Sequence, residues 1–186
     1  MFKSFRNLAG ALLLLAPLPV VAQGEKTAPA RGGTSRASAS RDTVVPEWLP
    51  TYRLLDQFNR LITDSALTRR ASIIIVASRN GAAAAERWTQ SLRAALTPSG
   101  PTVIPVADLV GAPRMLRGLI RGMFPKDSSA GVALDWEGVI GRPIRGDRAP
   151  LIAAVYGADG RLKEWMTLST KSEDVATLRR LVALVN

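Results

Sequence analysis

The chain of 186 residues has no cysteine and no histidine. Each absence removes a class of chemistry. Without thiols there is no disulfide framework, so core packing alone must hold the domain. There is also no thiolate to act as nucleophile or redox couple. Without imidazole a Ser-His-Asp arrangement is impossible, and zinc sites built on Cys or His are excluded with it. A lipoprotein leader ends at a cysteine, so that form of anchoring is excluded too. No cofactor is implied by any motif in the chain.

What is present starts with an address. Lys3 and Arg6 form a positive n-region, "LAGALLLLAPLPVV" (8–21) is an apolar h-region, and Val20 and Ala22 supply the small residues of a cleavage site. The apolar run is interrupted by Pro17 and Pro19 and falls short of the roughly 20 residues a membrane span needs. Residues 1–22 are therefore expected to be a cleaved signal peptide, with the mature protein periplasmic or secreted and free of a transmembrane span. Residues 23–46 are rich in Ala, Ser, Gly, Thr and Arg and read as a flexible linker, because they carry too little apolar surface to offset ordering entropy. The folded domain is expected over 47–186. Hydrophobic residues make up 47% of the chain and charged residues 22%, enough for one domain with its own core.

The formal net charge is +10, and loss of Lys3 and Arg6 with the leader lowers it to +8. In the cytoplasm such a charge would point to nucleic acid. Outside it, the anions within reach are lipid head groups, surface polysaccharide or an acidic envelope protein. The bland alternative is arginine spent on solvated faces.

Periodicity orders the elements. "TYRLLDQFNRLITD" (51–64) places Leu54, Leu55, Phe58, Leu61 and Ile62 on one helical face and predicts a helix. "ASIIIVAS" (71–78) is a β-branched run suited to a strand buried on both faces. "AAAAERWTQSLRAAL" (82–96) predicts a helix with Trp88, Leu92 and Leu96 inward. "TVIPVAD" (102–108) is a strand, and Pro105 predicts an edge position or a strand end. "APRMLRGLIRGMF" (112–124) predicts a helix with Met115, Leu116, Leu119, Ile120 and Met123 inward. "GVALDW" (131–136) is a short strand running into a turn at Glu137-Gly138. "LIAAVYG" and "RLKEWMTLS" are strands separated by "ADG", and "SEDVATLRRLVALV" (172–185) is a helix. The short "ADG" connection makes an antiparallel hairpin, whereas the earlier β-helix-β unit needs a parallel pairing. A mixed sheet ordered β-α-β-α-(β)-β-β-α follows.

That order resembles the thioredoxin-like superfamily, in particular its peroxiredoxin and exported thiol-disulfide oxidoreductase branch. The resemblance covers about 66–186. It rests on "IIIVASRNGAAAAERW", "LDWEGVIGRP" and "APLIAAVYGADGRLKEW". It implies an α/β three-layer fold with a mixed sheet, a C-terminal antiparallel hairpin and flanking helices. The family's Cys-x-x-Cys-x-x-Glu, matched through Glu86, falls on Asn80 and Ala83, and its cis-proline falls on Pro150, so the Ala149–Pro150 bond is expected to be cis. With Asn and Ala in place of the cysteines, thiol-disulfide exchange and peroxide reduction do not carry over.

Other groups were candidates for chemistry or binding. Ser78 and Asn80 open the 82–96 helix and read as its cap, or as an anion cradle on free backbone N–H groups. Asp135 and Glu137 sit two apart and could act as an acid/base pair, although Asp-x-Glu-Gly is more often a polar turn. Arg114, Arg117 and Arg121 recur at helical spacing, followed by Lys126 and by Arg142, Arg145 and Arg148. They read as an anion- or partner-binding surface, or as the solvated back of a helix. Trp48, Trp88, Trp136 and Trp165 read as core or core-edge residues. Two functions compete: a redox-inactive binding or scaffold module of the cell envelope, and an enzyme of non-thiol chemistry using groups near Ser78, Asn80, Asp135 and Glu137.

Overall fold

The computed structural model describes residues 45–186 other than 68, 128–130, 147 and 148, with the backbone alone at 66 and 67. The expected leader, nearly all of the expected linker and Arg148 lie outside the described residues. Seven strands form one sheet in the order β2-β1-β5-β4-β3-β6-β7. The strands are β1 (Arg53–Asp56), β2 (Leu61–Thr63), β3 (Ser72–Ala77), β4 (Thr102–Asp108), β5 (Ala133–Asp135), β6 (Leu151–Tyr156) and β7 (Leu162–Thr167). The α-helices are α1 (Ala82–Ala95), α2 (Arg117–Gly122), α3 (Gly141–Ile144) and α4 (Val175–Val185). β3, β4 and β5 pair in parallel, and β6 runs antiparallel to both β3 and β7.

Every residue of β3 and of β6 is buried, which is what a β-branched run sandwiched between layers predicts. One face packs Ile73, Ile75 and Ala153 under α1 and α4, with Trp88, Leu92 and Leu181 filling the gap. The other packs Ile74, Val76 and Tyr156 under Tyr52, Ile140 and Ile144. Trp88 donates its indole N–H to the Ser169 carbonyl at 3.0 Å, which satisfies the one polar atom this core side chain carries into the interior. Asp174 caps α4, its carboxylate accepting the amides of Ala176 and Thr177.

Three elements differ from the sequence expectation. Residues 51–64 form the β1–β2 hairpin, not a helix. Leu54 and Asp56 are buried while Arg53 and Leu55 are exposed, a period of two. The turn is fixed by Asp56, whose Oδ1 accepts the amides of Phe58 and Arg60 at 2.8 Å each, and by Asn59 in the left-handed region at φ 62°. Burial pushes the Asp56 carboxyl up. The amides of Arg60 and Phe58 and the Arg60 guanidinium outweigh that and hold it below the ordinary carboxylate range.

β4 is not an edge strand, since it lies between β5 and β3. β5 pairs with it from Val106 onward, so at Pro105 a single side of β4 is partnered, and the missing donor is tolerated there. The third difference is the 112–124 helix. It is shortened to a 3₁₀ turn (Arg114–Leu116) and α2, neither of which buries any residue fully. Among the tryptophans, Trp88 is core, Trp136 is partly buried, and Trp48 and Trp165 are exposed at 55% and 41%.

Candidate functional site

The carboxyl ends of β3, β4 and β5 and the start of β6 converge at one end of the sheet. In open α/β sheets this is where ligands bind. The chain leaves β3 at Ser78, turns through a 3₁₀ segment (Arg79–Gly81) and enters α1. The Ser78 amide donates to the Pro150 carbonyl at 2.9 Å, and the Ser78 hydroxyl donates to the same oxygen at 3.3 Å. Ser78 therefore faces Pro150 and does not cap the helix, and no side chain caps α1. Gly81 is buried against the same carbonyl: a Cβ there would lie 2.2 Å from the Pro150 oxygen. The junction and Pro150 are thus in direct contact. The Ala149–Pro150 bond is not cis, since no described peptide bond is, and that expectation is corrected. The carbonyl of Pro150 accepts the Ser78 N–H, which extends the antiparallel β3–β6 ladder beyond the Ala77–Leu151 pair. Asn80 lies in the 3₁₀ turn and Ala83 in the first turn of α1, both exposed.

Asp135 and Glu137 are not a working pair. Asp135 is fully buried, and its carboxylate accepts four backbone amides: Gly138 and Val139 on Oδ1, Ile140 and Gly141 on Oδ2, all at 2.7–2.9 Å. Gly138 at φ 76° lets the turn curl around it. Glu137 points outward and takes Arg117 at 2.8 Å. The polar-turn reading of Asp-x-Glu-Gly holds.

The arginines divide into three groups. Arg145 is internal: it pairs with Asp108 at 2.6 Å and donates to the Ala149 carbonyl at 3.1 Å, tying the loop before Pro150 to the end of β4. Arg117 and Arg121 lean toward the body of the protein. Arg117 lies over the Trp136 ring at 5.0 Å, and Arg121 donates to Asn59 Oδ1 at 2.6 Å. Among the described residues, the Nε of each is buried without a hydrogen-bond partner. Arg114, Arg142 and Lys126 are exposed. A cleft of about 270 Å³ opens beside α2, lined by Gln57, Phe58, Gly118, Arg121, Phe124 and Lys126, among others. Gln57 holds its base, donating to the Pro125 carbonyl at 3.2 Å and accepting the Val132 amide at 2.8 Å. Sequence reading missed this cleft because Gln57 and Phe58, which close one side of it, come from a hairpin read as a helix.

No family model matches the chain, and no curated protein matches it. Solved structures do. An exposed lipoprotein thioredoxin of Streptococcus pneumoniae TIGR4, Etrx1, superposes at a TM-score of 0.57 with 12% identity, over 72% of this chain and 98% of its own. The fold is thioredoxin-like. A secreted Mycobacterium tuberculosis disulfide oxidoreductase homologous to DsbE of E. coli is similar at a TM-score of 0.53 and 16% identity, covering 72% of this chain and 95% of its own. The thioredoxin domain of a Bacteroides vulgatus thiol-disulfide oxidoreductase matches at 0.55 and 8%, covering 75% and 96%. In this thioredoxin-like chain the helix that opens at the carboxyl end of β3 carries no thiol, because the chain has none. Among the described residues no helix is long and apolar enough to cross a membrane, and no cluster of acidic side chains is arranged to hold a metal ion.

Proposed function

We propose that this protein is an exported, redox-inactive thioredoxin-like domain that serves as a binding module in the cell envelope. One observation carries the reading: Ser78 and Gly81 are seated on Pro150 at the junction, while positions 80 and 83, which the resemblance matches to the family's cysteines, hold Asn and Ala. Disulfide exchange needs a thiolate, and neither side chain supplies one. The scaffold is what selection for binding would retain.

The enzyme alternative has less support. The Asp135 carboxylate is occupied by amides, Glu137 by Arg117, and the Ser78 hydroxyl by a carbonyl. None of these, nor Asn80, lines the cleft beside α2. The exposed cations that flank α2, Arg114 and Lys126, with Arg121 at the cleft, favour an anionic partner. Export is supported by Lys3, Arg6 and the Val20-x-Ala22 site, together with neighbours described as exposed and secreted proteins. N-terminal sequencing of the exported protein is expected to begin at Gln23. Affinity capture from the envelope fraction is expected to retain a component that salt releases. A folded protein that retains nothing at low salt overturns the binding reading.

A further inference from the structure

Two large apolar side chains of the 3₁₀ turn and α2 face solvent. Met115 and Leu119, one turn apart, are 90% and 65% exposed, whereas Arg117 and Arg121 lean inward onto Trp136 and Asn59. A helix in this position ordinarily does the reverse. The neighbouring hairpin does something similar. Leu55 and Leu61 face each other across β1 and β2 and are 42% and 53% exposed. Leu55 is in register with Leu134, and Leu134 with Ala107, so the leucine pair lies on the sheet face that α1 covers further along. β3, β4 and β5 follow one another across the sheet in one direction, so right-handed crossovers place α1 and α2 on that same face.

Between α2 and the hairpin turn lies the cleft. Gly118 and Gly122 leave it open, since no atom lies within 4 Å of where either Cβ would be. Its walls include Phe58 and Phe124, and Arg121 and Lys126 line it as well. Arg121 is held by a neutral amide oxygen, makes no salt bridge among the described residues, and has a buried Nε with no acceptor. Residues 112–126 carry four cations and no acid.

We propose that this face docks on an anionic lipid bilayer, with Met115 and Leu119 entering the boundary between head groups and acyl chains and a lipid phosphate meeting Arg121 and Lys126 at the cleft. The inference rests on the binding reading above and names its partner. Protruding apolar side chains flanked by cations are the chemistry of interfacial attachment. A second copy of the chain is disfavoured as the occupant, because it would bring the same cations, Arg114 and Lys126, against themselves.

Co-sedimentation of the exported protein with vesicles tests this. Binding to phosphatidylglycerol/phosphatidylcholine vesicles at 0.1 M salt is expected, with little to phosphatidylcholine alone and a steep loss toward 1 M salt, where the screening length falls from about 10 Å to about 3 Å. Met115→Ser with Leu119→Ser is expected to lower partitioning at least about tenfold. Arg114→Gln with Lys126→Gln is expected to lower it as well and flatten the salt dependence. All four side chains are exposed, so circular dichroism and Tm should hold. Equal binding to neutral vesicles, or undiminished binding by the double serine variant, overturns the proposal. So does tighter binding to soluble polyglutamate that ignores Met115 and Leu119, which assigns the face to an acidic protein. Lost vesicle binding with retained, salt-released capture from the envelope sinks the lipid inference and leaves the binding module standing.

Discussion

The β3–α1 junction and helix α2 solve the same problem, how to seat a helix at the carboxyl end of a strand, by opposite means. At the junction, glycine and backbone do the work: Gly81 lies against the Pro150 carbonyl with no room for a methyl group, and the helix behind it buries Trp88 and Leu92 completely. At α2, long cationic side chains reach inward to an aromatic ring and an amide, and the glycines stand in open space. The first arrangement tolerates no change in shape. The second leaves an apolar face unused by the fold. The junction is closely packed and the α2 surface is not, which makes substitutions at the two sites differ in kind.

The sharpest way to break the comparison is at the 135–141 turn, which holds Glu137 against Arg117 of α2. Asp135→Ala removes the acceptor of four amides at once, and its expected cost is about 3–5 kcal/mol, since each unsatisfied buried donor is itself expensive. Glu137→Ala, two residues on, removes an exposed ion pair and is expected to fall within about 1 kcal/mol. Urea denaturation of both variants checks this, and a costly Glu137→Ala beside a mild Asp135→Ala would reverse the assignment of structural and surface roles.

Next comes one substitution at two glycines. Gly81→Ala drives a methyl carbon to within 2.2 Å of a backbone oxygen, which must shift, and is expected to destabilise by about 3 kcal/mol. Gly118→Ala enters open space inside a helix and is expected to stabilise by about 0.5–1 kcal/mol through backbone entropy. Like signs for the two would mean that α2 is packed more tightly than its surroundings indicate.

The sequence made one of these regions far more legible than the other. β3, α1 and the β6–β7 hairpin carry a single strong signal each: an unbroken apolar run, an alanine-rich segment with Trp88 and Leu92 four apart, and a three-residue connection too short for a helix. Their tertiary partners demand what the local pattern already favours. Residues 51–64 carry two patterns at once. Leu54, Leu55, Phe58, Leu61 and Ile62 fit a helical face, while Leu54 and Asp56 alternate with Arg53 and Leu55. The side-chain turn made by Asp56, with Asn59 left-handed beside it, decides for the hairpin. Asp-Gln-Phe-Asn was the available clue. The inward face of α2 could not be read from hydrophobicity, because it is set by how far an arginine reaches. Glu137, Trp136 and Asn59 are brought to it from 20, 19 and 62 residues away, and no local period encodes that. The expected cis bond at Pro150 came from the family register alone, and this backbone has no need of it.

The smallest effect on stability is expected where the junction is asked to regain what it lacks. Asn80 and Ala83 are exposed, lie in consecutive turns at the start of α1, and are three residues apart, which places their Cα atoms about 5–6 Å from one another. A disulfide spans that distance without backbone movement. The helix N-terminus favours a thiolate at position 80, which promotes its formation. Asn80→Cys with Ala83→Cys is therefore expected to lose two hydrogens by mass under mild oxidant, reversibly with reductant, and to keep its fold throughout. The closed loop is so short that the cross-link should add little to stability. Insulin reduction then asks whether geometry alone restores exchange chemistry. If the thiols stay free in a folded protein, Asn80 and Ala83 do not stand at a former redox pair, and the contrast between a retained junction and an exposed face loses its first half. If the bond forms while α2 variants leave it unaffected, the two sites are independent, and the junction is a scaffold from which the chemistry has been removed.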